Sequence, residues 1–223
     1  MAGKLILVRH GQTEANVAGR LDTRLPGAHL TELGHEQAGS LAAALAAQKS
    51  TAALVSSQAT RAQQTAQPVE LASGIAAQIR AGIHEVQAGD LEDRSDEESH
   101  LLFLKTYRQW HMGELGARVP GGESALDVLD RYVPVVRDLR AEFLDDPAST
   151  GNVVVVSHGA AIRLIAAQLG RVPGTFAAVN HLANTESIEL IPTTDGGWQC
   201  VRWGKVGSPY EAPTTAGADD LMG

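Results

Sequence analysis

The chain has 223 residues, 43% of them hydrophobic, enough for one α/β domain with a sizeable buried core. Its 26 Asp and Glu against 18 Lys and Arg leave a formal net charge of −8, which argues against a nucleic-acid partner, although a few arginines gathered in one cleft still suit a small anion. No apolar run reaches the roughly 20 residues that span a bilayer and MAGKLILVRH is charged too early for a secretion signal, so a cytoplasmic protein without membrane contact is expected; the single cysteine, Cys200, excludes an internal disulfide and a cysteine-based zinc cluster.

The first apolar run, LILV between Lys4 and Val8, stops at Arg9-His10-Gly11. Unbroken hydrophobicity of this length reads as a strand covered on both faces, as in parallel sheets. Thr31 offers an N-cap for an alanine-rich helix to about residue 49, and residues 52–55 read as another buried strand. Residues 58 to about 72 read as a helix bent near Pro68, and a short run around Ile79 precedes the loop Gly82-Ile83-His84-Glu85. The acidic stretch 90–98 reads as a solvated face, or as a repellent to highly anionic substrates at a cleft mouth. The run LLFLKTYRQW (101–110) reads equally as core, lid or subunit contact, which leaves a homo-oligomer open. From Ser124 to about residue 144 the spacing predicts a long amphipathic helix interrupted at Pro134, with Leu126, Leu129, Val133, Val136, Leu139 and Phe143 as its apolar stripe. Residues 153–156 repeat the grammar of the first strand, stop at Ser157-His158-Gly159 and lead into a helix over 160–169. Residues 186–191 and 199–203 read as edge strands, and the Gly, Ser, Pro, Ala and Thr beyond Lys205 as a disordered tail, 206–223.

Strands alternating with helices predict a three-layer α/β/α sandwich with a mostly parallel central sheet and an antiparallel edge strand, forming a single domain over 1–205. Such sheets bind ligands beyond the carboxyl ends of their strands. That rule selects Arg9 and His10, the segment after Val55, Ser157 and His158, and the loop 82–85. A lone strand-end histidine is ordinarily no more than a polar cap. His10, however, stands between Arg9 and Gly11, with the short hydrogen-bonding side chains of Thr13 and Asn16 just beyond, a turn that suits a phosphate, and His158-Gly159 repeats the pattern. Two imidazoles on neighbouring strand ends also suit a metal. Against that, Arg9 and Arg61 would repel a cation and no HExxH or paired-carboxylate spacing completes a site, so neither metal nor other cofactor is expected. Arg61 reads as a solvated helix residue or as an anion-facing one. Seven acidic residues stand from Glu85 to Glu98, and the residues by themselves do not choose an acid among them.

Five segments in register carry a resemblance: Leu7-Val8-Arg9-His10-Gly11-Gln12-Thr13 with Asn16; Leu30-Thr31-Glu32-Leu33-Gly34; Arg61-Ala62 with Gln64-Thr65-Ala66; Pro120-Gly121-Gly122-Glu123-Ser124; and Val156-Ser157-His158-Gly159 with Ile162-Arg163. Together they resemble the histidine phosphatase superfamily, in its phosphoglycerate mutase-like branch, over about residues 4–203. The resemblance implies that His10 is the phosphorylated nucleophile. It also implies that Arg9, Asn16, Arg61 and His158 hold the transferring phosphoryl group, with Thr13 and Gly159 at the phosphate, and that Glu85 is the proton donor. After Glu85 the chain departs from the Phe and Gly-x-Trp-Glu-Gly of many phosphatases of the branch: Gly89 and Glu92 keep the frame and Leu91 replaces the tryptophan.

The implied activity is hydrolysis of small phosphorylated metabolites through a phosphohistidine. Cations beside His10 keep its lone pair available, and the catalysis is mostly positioning and electrostatics. The alternative is phosphoryl transfer of the cofactor-dependent mutase type. Such mutases carry a long insert between the acid and the segment matching Glu123-Ser124, whereas only about 35 residues separate Glu85 from Pro120, as in the phosphatases. A third reading is a catalytically weak phosphate-binding or regulatory module.

Overall fold

The computed structural model of the chain describes residues 3–146, 148 and 150–211. In chain order its elements are β1 (Leu5–Arg9), α1 (Glu14–Val17), α2 (Glu32–Gln48), β2 (Thr51–Ser57), α3 (Thr60–Ser73), β3 (Ala77–Arg80), α4 (Glu97–His111), α5 (Ala125–Phe143), β4 (Asn152–Ser157), α6 (Gly159–Gly170), α7 (Gly174–Ala177), β5 (Ser187–Pro192), β6 (Trp198–Trp203) and β7 (Val206–Gly207). Among the described residues the strands form one sheet in the order β3-β2-β4-β1-β5-β6-β7.

The unbroken apolar runs have a direct cause. Successive residues of a strand point to opposite faces. Leu5, Leu7, Val153 and Val155 enter one core beneath α4, α5 and α6, while Ile6, Val8, Val154 and Val156 enter the other beneath α2 and α3. Both faces are covered, so neither set of positions tolerates a polar side chain. The β1–β4, β4–β2 and β2–β3 pairs are parallel, which is the α/β/α sandwich expected. Thr31 caps α2 by accepting from the Gly34 amide, and Lys49 ends that helix in the left-handed region. No helix of the described residues is long and apolar enough to cross a membrane.

Four expectations need correction. The antiparallel part holds the two expected strands and a third, β7, and β5 lies inside the sheet rather than at its edge, paired with both β1 and β6. Residues 206–211 do not begin a disordered tail: β7 pairs with β6, Tyr210 packs on Phe176 with ring centroids 5.0 Å apart, and the Cys200 thiol donates to the Tyr210 hydroxyl at 3.2 Å. Strand pairing, one aromatic contact and one hydrogen bond outweigh a loop-like composition there; residues 212–223 lie outside the described residues. Helix α5 runs through Pro134 as one element, because its buried face, Ala125, Val128, Tyr132, Val136 and Leu139, holds both halves against the core. That face is also rotated from the expected stripe, leaving Leu126 48% exposed. The run 101–110 lies within α4, where Phe103, Leu104, Tyr107 and Trp110 are core and Leu101 and Leu102 face outward.

Candidate active site

The sheet order explains the site. Strand β4 inserts between β1 and β2, and its register pairs Arg9 with Ser157, so the next residue of each strand, His10 and His158, leaves the sheet beside the other, ring centroids 5.3 Å apart. On the other flank Ser57 ends β2, and its hydroxyl oxygen lies 2.9 Å from His158 Nε2. Gly11 lets the turn close: a Cβ there would stand 2.6 Å from the Gly34 carbonyl oxygen at the start of α2. The Gly11 amide donates to Thr65 Oγ1 in α3.

Two neighbours fix the tautomer of His10. Its Nδ1 faces the Gly11 carbonyl oxygen at 2.7 Å, and a carbonyl only accepts, so Nδ1 carries the hydrogen. Its Nε2 receives the Nε–H of Arg61 at 3.1 Å and therefore holds the lone pair. Burial, and then the charges of Arg61 and Arg9, hold its pKa well below the ordinary imidazole value of 6.5 against the opposing pull of the Gly11 carbonyl. His158 is depressed in the same way by burial, then by Arg61 and His10. Its Nδ1 is buried with no partner among the described residues.

Around this pair the sequence-selected residues fall into two tiers. His10, Thr13, Asn16, Arg61 and Glu85 line a cleft that Phe103 of α4 and Asp22 complete, whereas Arg9, His158 and Gly159 are buried behind it. Arg9 Nη1 donates to the Leu182 carbonyl at 2.6 Å. Thr13 and Asn16 cap α1 reciprocally, each side chain bonded to the other's amide, with Asn16 Oδ1 also 3.4 Å from Asn184 Nδ2. Arg61 is clasped from outside by Asp22, whose carboxylate lies 3.3 Å from Nη1 and whose carbonyl accepts from Nη2 at 2.9 Å. The carboxyl group of Glu85 sits at the N-terminus of α6, accepting from the amides of Ala160 at 3.2 Å and Ala161 at 2.9 Å. His158 gives that helix no side-chain cap, so Glu85 meets two of its orphan amides. Among the described residues no three His, Cys, Asp or Glu gather as a metal site.

The loop carrying Glu85 is held by a residue the sequence reading did not single out. Arg131 in α5 uses all five of its N–H groups: Nε and Nη2 pair with Glu123 at 2.8 Å each, Nη1 donates to the carbonyls of Gly82 and His84, and Nη2 to that of Glu85. Burial tends to raise the Glu123 pKa, but the hydrogen bonds and charge of Arg131 outweigh it and hold the carboxyl low. Gly89, at φ +59°, presses on Gly122 so closely that a Cβ would stand 2.2 Å from the Gly122 nitrogen. The Pro-Gly-Gly-Glu motif thus acts on the site through the loop 82–85. Asp22 and Phe103 were missed as well; neither carries a local pattern that separates it from an ordinary loop acid or core aromatic.

Comparison with known proteins agrees with this geometry. The family model described as histidine phosphatase superfamily (branch 1) matches residues 5–206. A PE-PGRS family protein of Mycobacterium tuberculosis, PE_PGRS11, is 31% identical over 95% of this chain, which spans 38% of that protein's length. A glucosyl-3-phosphoglycerate phosphatase of Mycolicibacterium vanbaalenii is 31% identical over 90% of this chain and 91% of its own. The solved structure of a mycobacterial glucosyl-3-phosphoglycerate phosphatase superposes with a TM-score of 0.76 at 27% identity, covering 92% of this chain and 99% of the other. The fold, the strand-end histidines and these matches together establish that the chain belongs to branch 1 of the histidine phosphatase superfamily.

Proposed function

We propose that the protein is a phosphomonoesterase that hydrolyses small phosphorylated metabolites through a phosphohistidine at His10. The observation that carries this reading is the His10 ring itself: buried, neutral, with Nδ1–H tied to a backbone carbonyl and the Nε2 lone pair facing the cleft-lining Arg61. Nε2 attacks phosphorus as the bond to the leaving alcohol breaks. Before that attack the bound ester draws the N–H groups of Arg61 from Nε2 to the phosphoryl oxygens, which frees the lone pair, and Arg9, the Asn16 amide and His158, whose buried Nδ1 suits an acceptor of this kind, join it there. Glu85 delivers a proton to the departing alkoxide and then takes one from the water that cleaves the phosphohistidine, releasing inorganic phosphate.

Hydrolysis is favoured over mutase transfer because the segment between Glu85 and Pro120 is spent on α4, whose Tyr107 and Trp110 pack into the core while Phe103 forms part of the cleft wall, so no long insert is left to close over the cleft. The relative's name, glucosyl-3-phosphoglycerate phosphatase, makes glycerate phosphates and the corresponding polyol phosphates a first panel to assay. His10→Ala is expected to abolish turnover of p-nitrophenyl phosphate and the acid-labile labelling of the protein by phosphate, with the circular dichroism spectrum unchanged. Substantial residual turnover in that variant would overturn the assignment.

A further inference from the structure

The cleft carries one carboxylate, Asp22, that the proposed chemistry does not use. Of the described residues lining the cleft, Arg61 is the one cation and is already turned to His10 and Asp22; the carboxyl groups are Asp22 and Glu85, and Glu85 carries its transferable proton when the ester is bound. Asp22 is firmly built in. Its Oδ2 accepts from the Ala28 amide at 2.8 Å and faces Arg61 Nη1 at 3.3 Å, while Oδ1 has no bond among the described residues. The next residues are fastened from the opposite side: Glu92 accepts from the amides of Thr23 at 2.9 Å and Arg24 at 3.0 Å and from the Thr23 hydroxyl, and Ala88 N donates to Thr23 Oγ1 at 3.0 Å. Gln87 Nε2 adds a bond to the Thr23 carbonyl at 2.6 Å. A carboxylate anchored in this way cannot swing aside for an incoming anion.

The geometry points to Asp22 as a specificity-determining residue: it selects phosphate monoesters whose alcohol carries hydroxyl groups and turns away those whose alcohol carries a second anion. A hydroxyl donates to Oδ1. A carboxylate or second phosphate brought to the same place meets a like charge, with no lysine or further arginine on the cleft wall to offset it. The repulsion grows during the reaction, because Arg61 leaves Asp22 partly uncompensated when it turns to the phosphoryl oxygens.

The inference rests on the phosphatase reading, and the test separates the two. Glycerol 3-phosphate and 3-phosphoglycerate differ only in a CH2OH against a carboxylate. The wild-type kcat/KM is expected to favour glycerol 3-phosphate by about tenfold or more, the size of one poorly screened charge repulsion. Asp22→Asn, of the same shape, should bring the ratio towards one, chiefly by lowering KM for 3-phosphoglycerate, and Asp22→Glu should keep the preference. Each ratio is taken within one enzyme, so any effect of the substitution on Arg61 cancels. A wild-type ratio near one, or an unchanged ratio in Asp22→Asn, overturns the role of Asp22; failure of the wild type to hydrolyse p-nitrophenyl phosphate overturns the phosphatase reading instead.

Discussion

Glu85 holds two positions at once. Its carboxyl group caps α6 through the amides of Ala160 and Ala161, and Glu85 also lines the cleft, where the proposed reaction has it serve the leaving group. Glu85→Gln keeps one of the two acceptors that the helix amides use and removes the transferable proton, so comparing substrates rather than overall rate separates the two duties. The variant is expected to lose roughly 10²- to 10⁴-fold in kcat with an alkyl phosphate, the range of a positioned proton donor, and far less with p-nitrophenyl phosphate, whose leaving group needs little protonation. Equal losses on the two substrates would reduce Glu85 to a shaping residue. At this scale the sequence is most legible where chemistry and local backbone coincide: Arg9, His10, Gly11 and His158 each stand at the end of an unmistakable apolar strand. Asp22 was illegible because its meaning comes from Arg61, a distant partner that only folding brings within 3.3 Å.

Among the elements, α5 reaches the site without touching the phosphoryl pocket. Arg131 ties it to three consecutive-loop carbonyls, Gly82, His84 and Glu85, and its ion pair with Glu123 keeps the guanidinium in plane. Arg131→Met preserves most of the packed stem and removes every donor. It is expected to cost roughly 2–3 kcal/mol of stability by leaving Glu123 and the loop carbonyls unpaired. It should also lower kcat more for alkyl than for aryl phosphates, a weaker copy of the Glu85→Gln signature; a drop in melting temperature with the alkyl-to-aryl ratio unchanged would leave Arg131 a structural residue only. The phase of this helix was also where sequence reading erred. Leu126 and Leu129 suggested a stripe one position away from the buried face, since a leucine at a helix start is as easily exposed as buried until the partner surface is known.

The whole molecule carries a pH dependence from its buried imidazoles. His10 and His158 are depressed well below 6.5, and His111, packed 4.8 Å from the Tyr107 ring, is lowered to about 3 by burial and then by the Arg163 charge. Unfolding returns each to its ordinary value, so below 6.5 the unfolded chain binds protons that the folded one refuses. Stability is therefore fully present above 6.5 and falls with pH below it, by about 1.4 kcal/mol per unit for each histidine still neutral in the fold. Thermal melts from pH 8 to pH 4 are expected to be flat at the top and steep below 6.5, with a shallower acid slope in His111→Phe; a flat profile down to pH 5 would contradict the burial of these rings. The same strand order that sets the histidines side by side also dictates when they meet. Among the described residues strands β1 and β2 do not pair with each other; β4, which starts at Asn152, lies between them in the sheet. During synthesis His10, just past β1, and Arg61, in the helix that follows β2, emerge early and wait, with an unfilled slot between their strands, for the last parallel strand. A nascent chain cut short before that strand carries His10 and Arg61 as separate pieces, so their pairing arrives with the insertion of β4 and not by degrees.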